Sequence, residues 1–185
     1  GREIHIVACG SALYAGMIGK CLLESKARIK CITDVASEYR YRNVIYDRKT
    51  LVILVSQSGE TADTIAAMRK AHEEGIDTLA IVNVKTSTIA REAKQCLFIE
   101  AGPEIAVATT KAYSCQLAVI YLFALFLART KYALDRNKYY ELLDEVKELP
   151  SKVAKTIELK ESVQSLSSRF TEKTNVFFIG RGIDY

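Results

Sequence analysis

The sequence is poor in the residues that build metal centres. It has two histidines, His5 and His72, and its five cysteines (Cys9, Cys21, Cys31, Cys96 and Cys115) form no C-x-x-C pair. Structural zinc sites need closely spaced Cys and His ligands, so no metal is expected. The cysteine number is odd, and Cys9, Cys31 and Cys96 sit in apolar, strand-like surroundings. That pattern fits reduced, mostly buried thiols in a cytoplasmic protein rather than a disulfide framework. An excess of one charge is lacking as well. The formal net charge is +4, with no Lys/Arg run of five and no basic stripe interleaved with aromatics. This argues against nucleic acid as a partner and leaves a small anion compatible. The apolar run Ala118–Ala128 stops at Arg129 after eleven residues, whereas a membrane-spanning helix needs about 20. It predicts a buried core helix and no membrane partner. Internal repeats and low-complexity tracts are absent, and no signal peptide is visible, since the chain opens directly into a strand pattern. It opens on Gly1-Arg2-Glu3 without an initiator Met, which predicts a segment excised from a longer chain.

What is present is alternation. Ile4–Ala8 reads as a short buried strand, followed by Cys9-Gly10 and a helix from Ser11 to about Lys26. Ile29–Val35 is a second strand, and Ser37 can cap a short helix carrying Glu38 to Arg42. Leu51-Val52-Ile53-Leu54-Val55 is the clearest strand, with five apolar residues in a row. A helix is expected from Glu60 to Glu74, ended by Gly75. Thr78–Val82 and Cys96–Ile99 are further strands around a short helix, Ser87–Ala93. A long apolar helix should run from Ala106 to Thr130. Two more helices follow: Arg136–Leu149, and one opened by Pro150 and reaching Phe170. Val176–Ile179 reads as a strand ending in Gly180-Arg181-Gly182. Strands alternating with helices of this length imply right-handed βαβ units, hence an α/β fold: a three-layer αβα sandwich with a five-stranded parallel sheet, flavodoxin-like. The expected organisation is residues 1–134 as a binding domain, 135–175 as a helical connector and 176–185 as the first strand of another domain.

Ligands of such sheets bind beyond the carboxyl ends of the strands, which singles out two loops. In Ser56-Gln57-Ser58-Gly59-Glu60-Thr61, three hydroxyls and an amide crowd the end of a buried strand, just before a helix N-terminus. Unpaired N–H groups and the positive end of the helix dipole make that place an anion site. There is no Lys and no G-x-x-x-x-G-K-[ST] pattern, which argues against a nucleoside triphosphate with its magnesium and for a phosphate monoester. Simple capping by Ser58, with Glu60 and Asp63 in the first turn, accounts for only part of this cluster. The other loop, Cys9-Gly10-Ser11-Ala12, reads equally well as an ordinary β–α turn with a Ser cap. Cys9 precedes a helix start, but no His lies near it in sequence, so a structural thiol is the better reading. A third stretch, Gly102 to Lys111, brings Thr and Lys to the start of the long helix, where Lys111 is equally compatible with a solvated position or a pair with Glu104.

Ser56-Gln57-Ser58-Gly59-Glu60-Thr61-Ala62-Asp63-Thr64 resembles the phosphate-binding signature of sugar isomerase (SIS) domains. Ala8-Cys9-Gly10-Ser11, Ala36 to Arg42 and Gly102 to Ala112 narrow the resemblance to the glutamine–fructose-6-phosphate aminotransferase (isomerizing), or glucosamine-6-phosphate synthase, family, in order along essentially the whole chain. The resemblance implies the first SIS domain of the isomerase half, with Phe177 to Gly182 opening the second. It implies sugar-phosphate binding (fructose 6-phosphate, glucose 6-phosphate, glucosamine 6-phosphate) by Ser56, Gln57, Ser58 and Thr61. Ser11, Cys9 and Gly10 contribute from the first loop, and Val107 lies where the family's backbone touches the sugar. No cofactor is implied, and a homodimer through SIS domains is. The family's isomerisation Glu and Schiff-base Lys fall outside this stretch, so no catalytic residue is expected within it, and the chain alone should be inactive. One departure is Ala12, where the family commonly has Ser. Two other readings are a sugar-phosphate-sensing SIS domain of a transcriptional regulator, although no helix-turn-helix is visible, and an SIS isomerase of another phosphosugar.

Overall fold

A computed structural model of the chain describes residues 3–105 and 107–180. They fall into two compact units, 1–135 and 136–185. In the first, five strands form one parallel sheet: β1 (Glu3–Ala8), β2 (Lys30–Val35), β3 (Leu51–Ser56), β4 (Asp77–Val82) and β5 (Gln95–Phe98), in the order β2-β1-β3-β4-β5. The register is regular, with Ile6 opposite both Thr33 and Ile53, and Ile53 opposite Leu79. This order turns back on itself between β1 and β3, where the crossovers leave in opposite directions and open a crevice at the strands' carboxyl ends.

The apolar runs of the sequence form strands because both faces of this sheet are covered. Side chains alternate along each strand. Ile4, Ile6 and Ala8 of β1, Ile53 and Val55 of β3, and Leu79 and Ile81 of β4 pack with α1 (Ser11–Lys26) and α5 (Thr110–Thr130). Val7, Val52, Leu54, Ala80 and Val82 pack on the other side, with α2 (Ala36–Tyr39), α3 (Ala62–Glu73) and α4 (Thr88–Glu92). Each fully buried Ile, Leu or Val here contributes about 1.5–3 kcal/mol. Small residues let α1 sit deep: a Cβ on Gly16 would come within 2.7 Å of Ile6, and one on Gly19 within 2.7 Å of Ile120 on α5. These close approaches set α1 and α5 side by side, with their N-termini at the crevice.

Several boundaries differ from expectation. The helix expected from Glu60 starts at Ala62, and the one expected from Ala106 starts at Thr110, Ala106 itself lying outside the described residues. Val35, not Ser37, precedes α2, and no side chain caps it. Over its full 21 residues α5 is long and apolar enough to cross a membrane by composition, more than the run Ala118–Ala128 indicated. Its stripe Ala112, Ile120, Ala124 and Ala128 is instead buried in the core.

In the second unit, α6 (Arg136–Ile157) runs through Pro150 instead of ending before it, and is followed by α7 (Lys160–Ser167) and a 3₁₀ turn, Ser168–Phe170. Pro150 removes one ladder hydrogen bond, yet the pair Lys152–Glu148 spans it at i,i+4. Val176–Ile179, expected as a strand, has no regular structure, since an extended segment needs a ladder partner to become a strand and none of the described strands pairs with it. Arg181 and Gly182, the rest of that expected turn, lie outside the described residues.

Candidate phosphate-binding site

The crevice holds a recess of about 150 Å³, and three loops build it. β1 hands over to α1 through Cys9 and Gly10. Gly10 has φ 56° and ψ −138°, a backbone region that is essentially glycine's alone. A Cβ there would meet nothing within 4 Å, so the need is conformational and not spatial. The turn presents Ser11 and Ala12, the first residues of α1, to the recess.

β3 delivers Ser56, which is 4% exposed. Its hydroxyl accepts the Gly59 N–H at 3.0 Å and shares a hydrogen bond of 3.3 Å with the Thr61 hydroxyl. Ser58 Oγ accepts the Glu60 N–H at 3.2 Å. Thr61 occupies the N-cap position of α3, but its side chain makes no capping bond. The hydroxyls therefore do not spend themselves on closing the helix, and the first N–H groups of α3 keep the open valences every helix start has. Gly59 has φ +66° and lies against Ser87, where a Cβ would stand 2.1 Å from the Ser87 hydroxyl. The loop is held from below by the start of α4: Ile89 donates its N–H to the Gly59 carbonyl at 3.1 Å, and Thr88 donates its N–H to the Glu60 carboxylate at 2.6 Å. That backbone hydrogen bond is the main reason the Glu60 carboxyl titrates below the usual range. Glu60 is a brace that stays ionised, pointing to Thr88 and not lining the recess.

The third wall is the start of α5. Thr109, its N-cap residue, is left-handed (φ 58°, ψ 34°), a strained conformation for a β-branched residue that costs about 1–3 kcal/mol. It lines the recess, as does Gln116 seven residues on. Gln116 is 1% exposed, and neither atom of its amide has a hydrogen-bond partner among the described residues. A buried amide left unpaired costs about 1–3 kcal/mol.

Three helices, α1, α3 and α5, thus point their N-termini into one small space. No charged side chain lines it among the described residues. The positive ends of three dipoles, backbone N–H groups and neutral hydroxyls suit an anion whose charge is spread over several oxygens. A wider groove over α3 carries Arg40, Arg69 and Lys70, but its cations are engaged. Arg40 donates to Asp63 at 2.7 Å, Arg69 forms a two-pronged pair with Glu92 at 2.7 and 2.8 Å, and Lys70 reaches the Arg40 carbonyl at 3.3 Å. Cysteine chemistry is not favoured in the core: burial pushes the Cys31 thiol up to about 12.

Residues 2–126 match the SIS domain family. The chain belongs to that family. The chain is 48% identical over 184 residues to the glutamine--fructose-6-phosphate aminotransferase [isomerizing] of Clostridium tetani, and 50% identical to that of Caldanaerobacter subterraneus subsp. tengcongensis; each match covers all of this chain and 30% of the relative. Among solved structures, the C-terminal domain of glucosamine-fructose-6-phosphate aminotransferase from Francisella tularensis superposes with a TM-score of 0.96 at 35% identity, covering 99% of this chain and 52% of that one. The chain thus spans about a third of the length of the curated relatives it matches.

In this SIS domain, Ser56, Gln57, Ser58, Thr61, Ser11 and Cys9, all singled out from sequence, come together around the recess. Gly10 shapes the turn but does not line it, and Val107 lies outside it with its side chain fully exposed. The Val107 carbonyl accepts the Thr109 hydroxyl at 3.2 Å. Glu104 accepts the Ala112 N–H at 3.1 Å. Gln116 was not found by sequence reasoning. Its signal was a single polar residue interrupting a four-residue apolar spacing, Ala112-Gln116-Ile120-Ala124.

Proposed function

We propose that this SIS domain binds the phosphate of a phosphorylated sugar, fructose 6-phosphate or glucosamine 6-phosphate, within the isomerase half of a glutamine–fructose-6-phosphate aminotransferase. The observation that carries the reading is the convergence of three helix N-termini and the hydroxyls of Ser56, Ser58 and Thr61 on one uncharged recess at the sheet's switch point. A phosphate monoester there would exchange the hydroxyl–hydroxyl bond between Ser56 and Thr61 for charge-assisted bonds, which are the stronger kind. Ser11 and the backbone around Gly10 would close the first-loop side. The Val107 backbone, on the way into α5, would supply a contact to the sugar.

In this role the domain supplies position and the counter-field for the phosphate. Its carboxylates nearest the recess are committed to backbone N–H groups, Glu60 to Thr88 and Glu104 to Ala112. Proton transfer between C1 and C2 needs a base within hydrogen-bond reach of the carbon-bound proton, so we assign that base, and the Schiff-base Lys, to other parts of the aminotransferase. Residues 1–134 would be the binding domain, 135–175 a connector and 176–185 the opening of a second SIS domain. We place the protein in the cytoplasm, with no nucleic acid or membrane partner. We propose a homodimer, supported by the half-exposed apolar residues Tyr14, Met17, Leu122 and Phe126 on α1 and α5. Calorimetry tests the core of the reading. Fructose 6-phosphate, glucose 6-phosphate and glucosamine 6-phosphate should bind, and fructose should not. Equal binding of fructose with and without phosphate, or no binding of any of them, would refute it.

A further inference from the structure

The phosphate-binding loop explains one wall of the recess, but Gln116 stands on another. It lies on the face of α5 that is otherwise apolar: Ala112, Ile120, Ala124 and Ala128, at four-residue spacing on either side, are all buried in the core. A polar residue in such a stripe usually reaches a neighbour's backbone or side chain. Gln116 does not; both its Oε1 and its Nε2 are buried and unpaired, while its side chain forms part of the recess wall. An amide buried without a partner, on a residue that lines a cavity, calls for a partner from what enters that cavity.

The chemistry of the amide narrows what that is. A phosphate dianion offers only acceptors, so it would satisfy Nε2 and leave Oε1 bare. The donors suited to phosphate are already gathered on the opposite loop, at Ser56, Ser58 and Thr61 and the start of α3. A hydroxyl group donates and accepts at once, and can pair with both ends of the amide. Building on the phosphosugar reading of the recess, we propose that Gln116 recognises a hydroxyl of the sugar itself, and so lets the site distinguish a phosphosugar from free phosphate. Thr109, strained into the left-handed region at the same wall, fixes the start of α5 from which Gln116 projects.

The test is Gln116→Met in the full 185-residue chain, a substitution that keeps the length of the side chain and removes both polar atoms. Calorimetry is run with fructose 6-phosphate and with inorganic phosphate, alongside thermal unfolding without ligand. A site built to hydrogen-bond a hydroxyl discriminates strongly once that bond is lost. Affinity for fructose 6-phosphate should therefore fall about tenfold or more, while affinity for inorganic phosphate stays within about twofold. The unliganded variant should melt at or above the wild-type temperature, because an unpaired amide has been replaced by an apolar group. Unchanged affinity for fructose 6-phosphate overturns the assignment, as does a parallel loss for both ligands. A lower melting temperature also overturns it, since the amide then has a partner within the protein. If the wild type binds neither ligand, it is the phosphosugar reading of the recess that fails, and the role of Gln116 falls with it.

Discussion

Replacing Gly59 with Ala probes how the loop from Ser56 to Thr61 is held. Gly59 has φ +66°, where an L side chain is strained, and the new Cβ would lie 2.1 Å from the Ser87 hydroxyl and 2.6 Å from Ser87 Cβ. The strain alone costs about 1–2 kcal/mol. Ser87 cannot simply rotate away, because its hydroxyl accepts the Ala90 N–H at the start of α4; losing that cap costs about 1 kcal/mol. Alanine regains about 0.4–1 kcal/mol through a less flexible unfolded chain, so the net loss is about 2 kcal/mol. For a chain of this size that lowers the melting temperature by about 4–8 °C. Gly75→Ala is the internal comparison: φ is +69°, but a Cβ there meets nothing within 4 Å. It carries the strain without the collision and should lose about half as much. Thermal unfolding of both variants, with fructose 6-phosphate calorimetry on each, separates the effects. Only Gly59→Ala should also weaken the ligand, since the Gly59 carbonyl and the neighbouring Glu60 carboxylate tie the loop to α4. Equal losses of stability at the two glycines, with binding intact at both, would refute this account of the loop.

The double substitution Ser58→Ala/Thr61→Ala should weaken sugar-phosphate binding by about 1–3 kcal/mol in calorimetry, and unchanged affinity would remove these hydroxyls from the site. Thr109→Gly relieves a left-handed threonine and should raise the urea midpoint slightly, by up to about 1 kcal/mol in stability; a loss would mean the threonine's hydroxyl bond to Val107 outweighs its strain. His5 is buried between Tyr39, whose hydroxyl lies 3.0 Å from Nδ1, and Tyr46, with Glu3, Asp34, Arg42 and Lys30 around it. Burial is the largest influence and lowers its pKa from 6.5. The unfolded chain then takes up the proton first, so stability is complete above that value and is lost as pH falls through it. Unfolding midpoints measured from about pH 7.5 to pH 5.5 should decline in the wild type and decline less in His5→Gln; parallel curves would show that His5 is not the group responsible.

The sequence was most informative where one local rule decides. Leu51–Val55 could only be a strand buried on both faces, and Ser56 to Thr61 had to follow it at the carboxyl end of the sheet. Boundaries were less legible, because they depend on contacts made at a distance. α3 begins at Ala62 and not at Glu60, since Thr61 is extended (φ −65°, ψ 115°) in a loop tied to α4 by the bond from the Thr88 N–H to the Glu60 carboxylate, 28 positions apart. Pro150 suggested a helix boundary by its own chemistry, but the helix continues through it. Val176–Ile179 has strand composition, but none of the described strands pairs with it. Gln116 shows the same limit at the site. Its position in the stripe is visible in the sequence, but only the side-by-side packing of α1 and α5 shows that the stripe passes a cavity at that point.

A crystal structure of the chain with glucose 6-phosphate bound tests the central claim most directly. The phosphorus should lie in the recess, with its oxygens within hydrogen-bond distance of the Ser58 and Thr61 hydroxyls and of N–H groups at the starts of α1 and α3. A phosphate found instead in the groove over α3, beside Arg40, Arg69 and Lys70, would show that side-chain cations and not converging helix termini select the ligand, and would contradict the account.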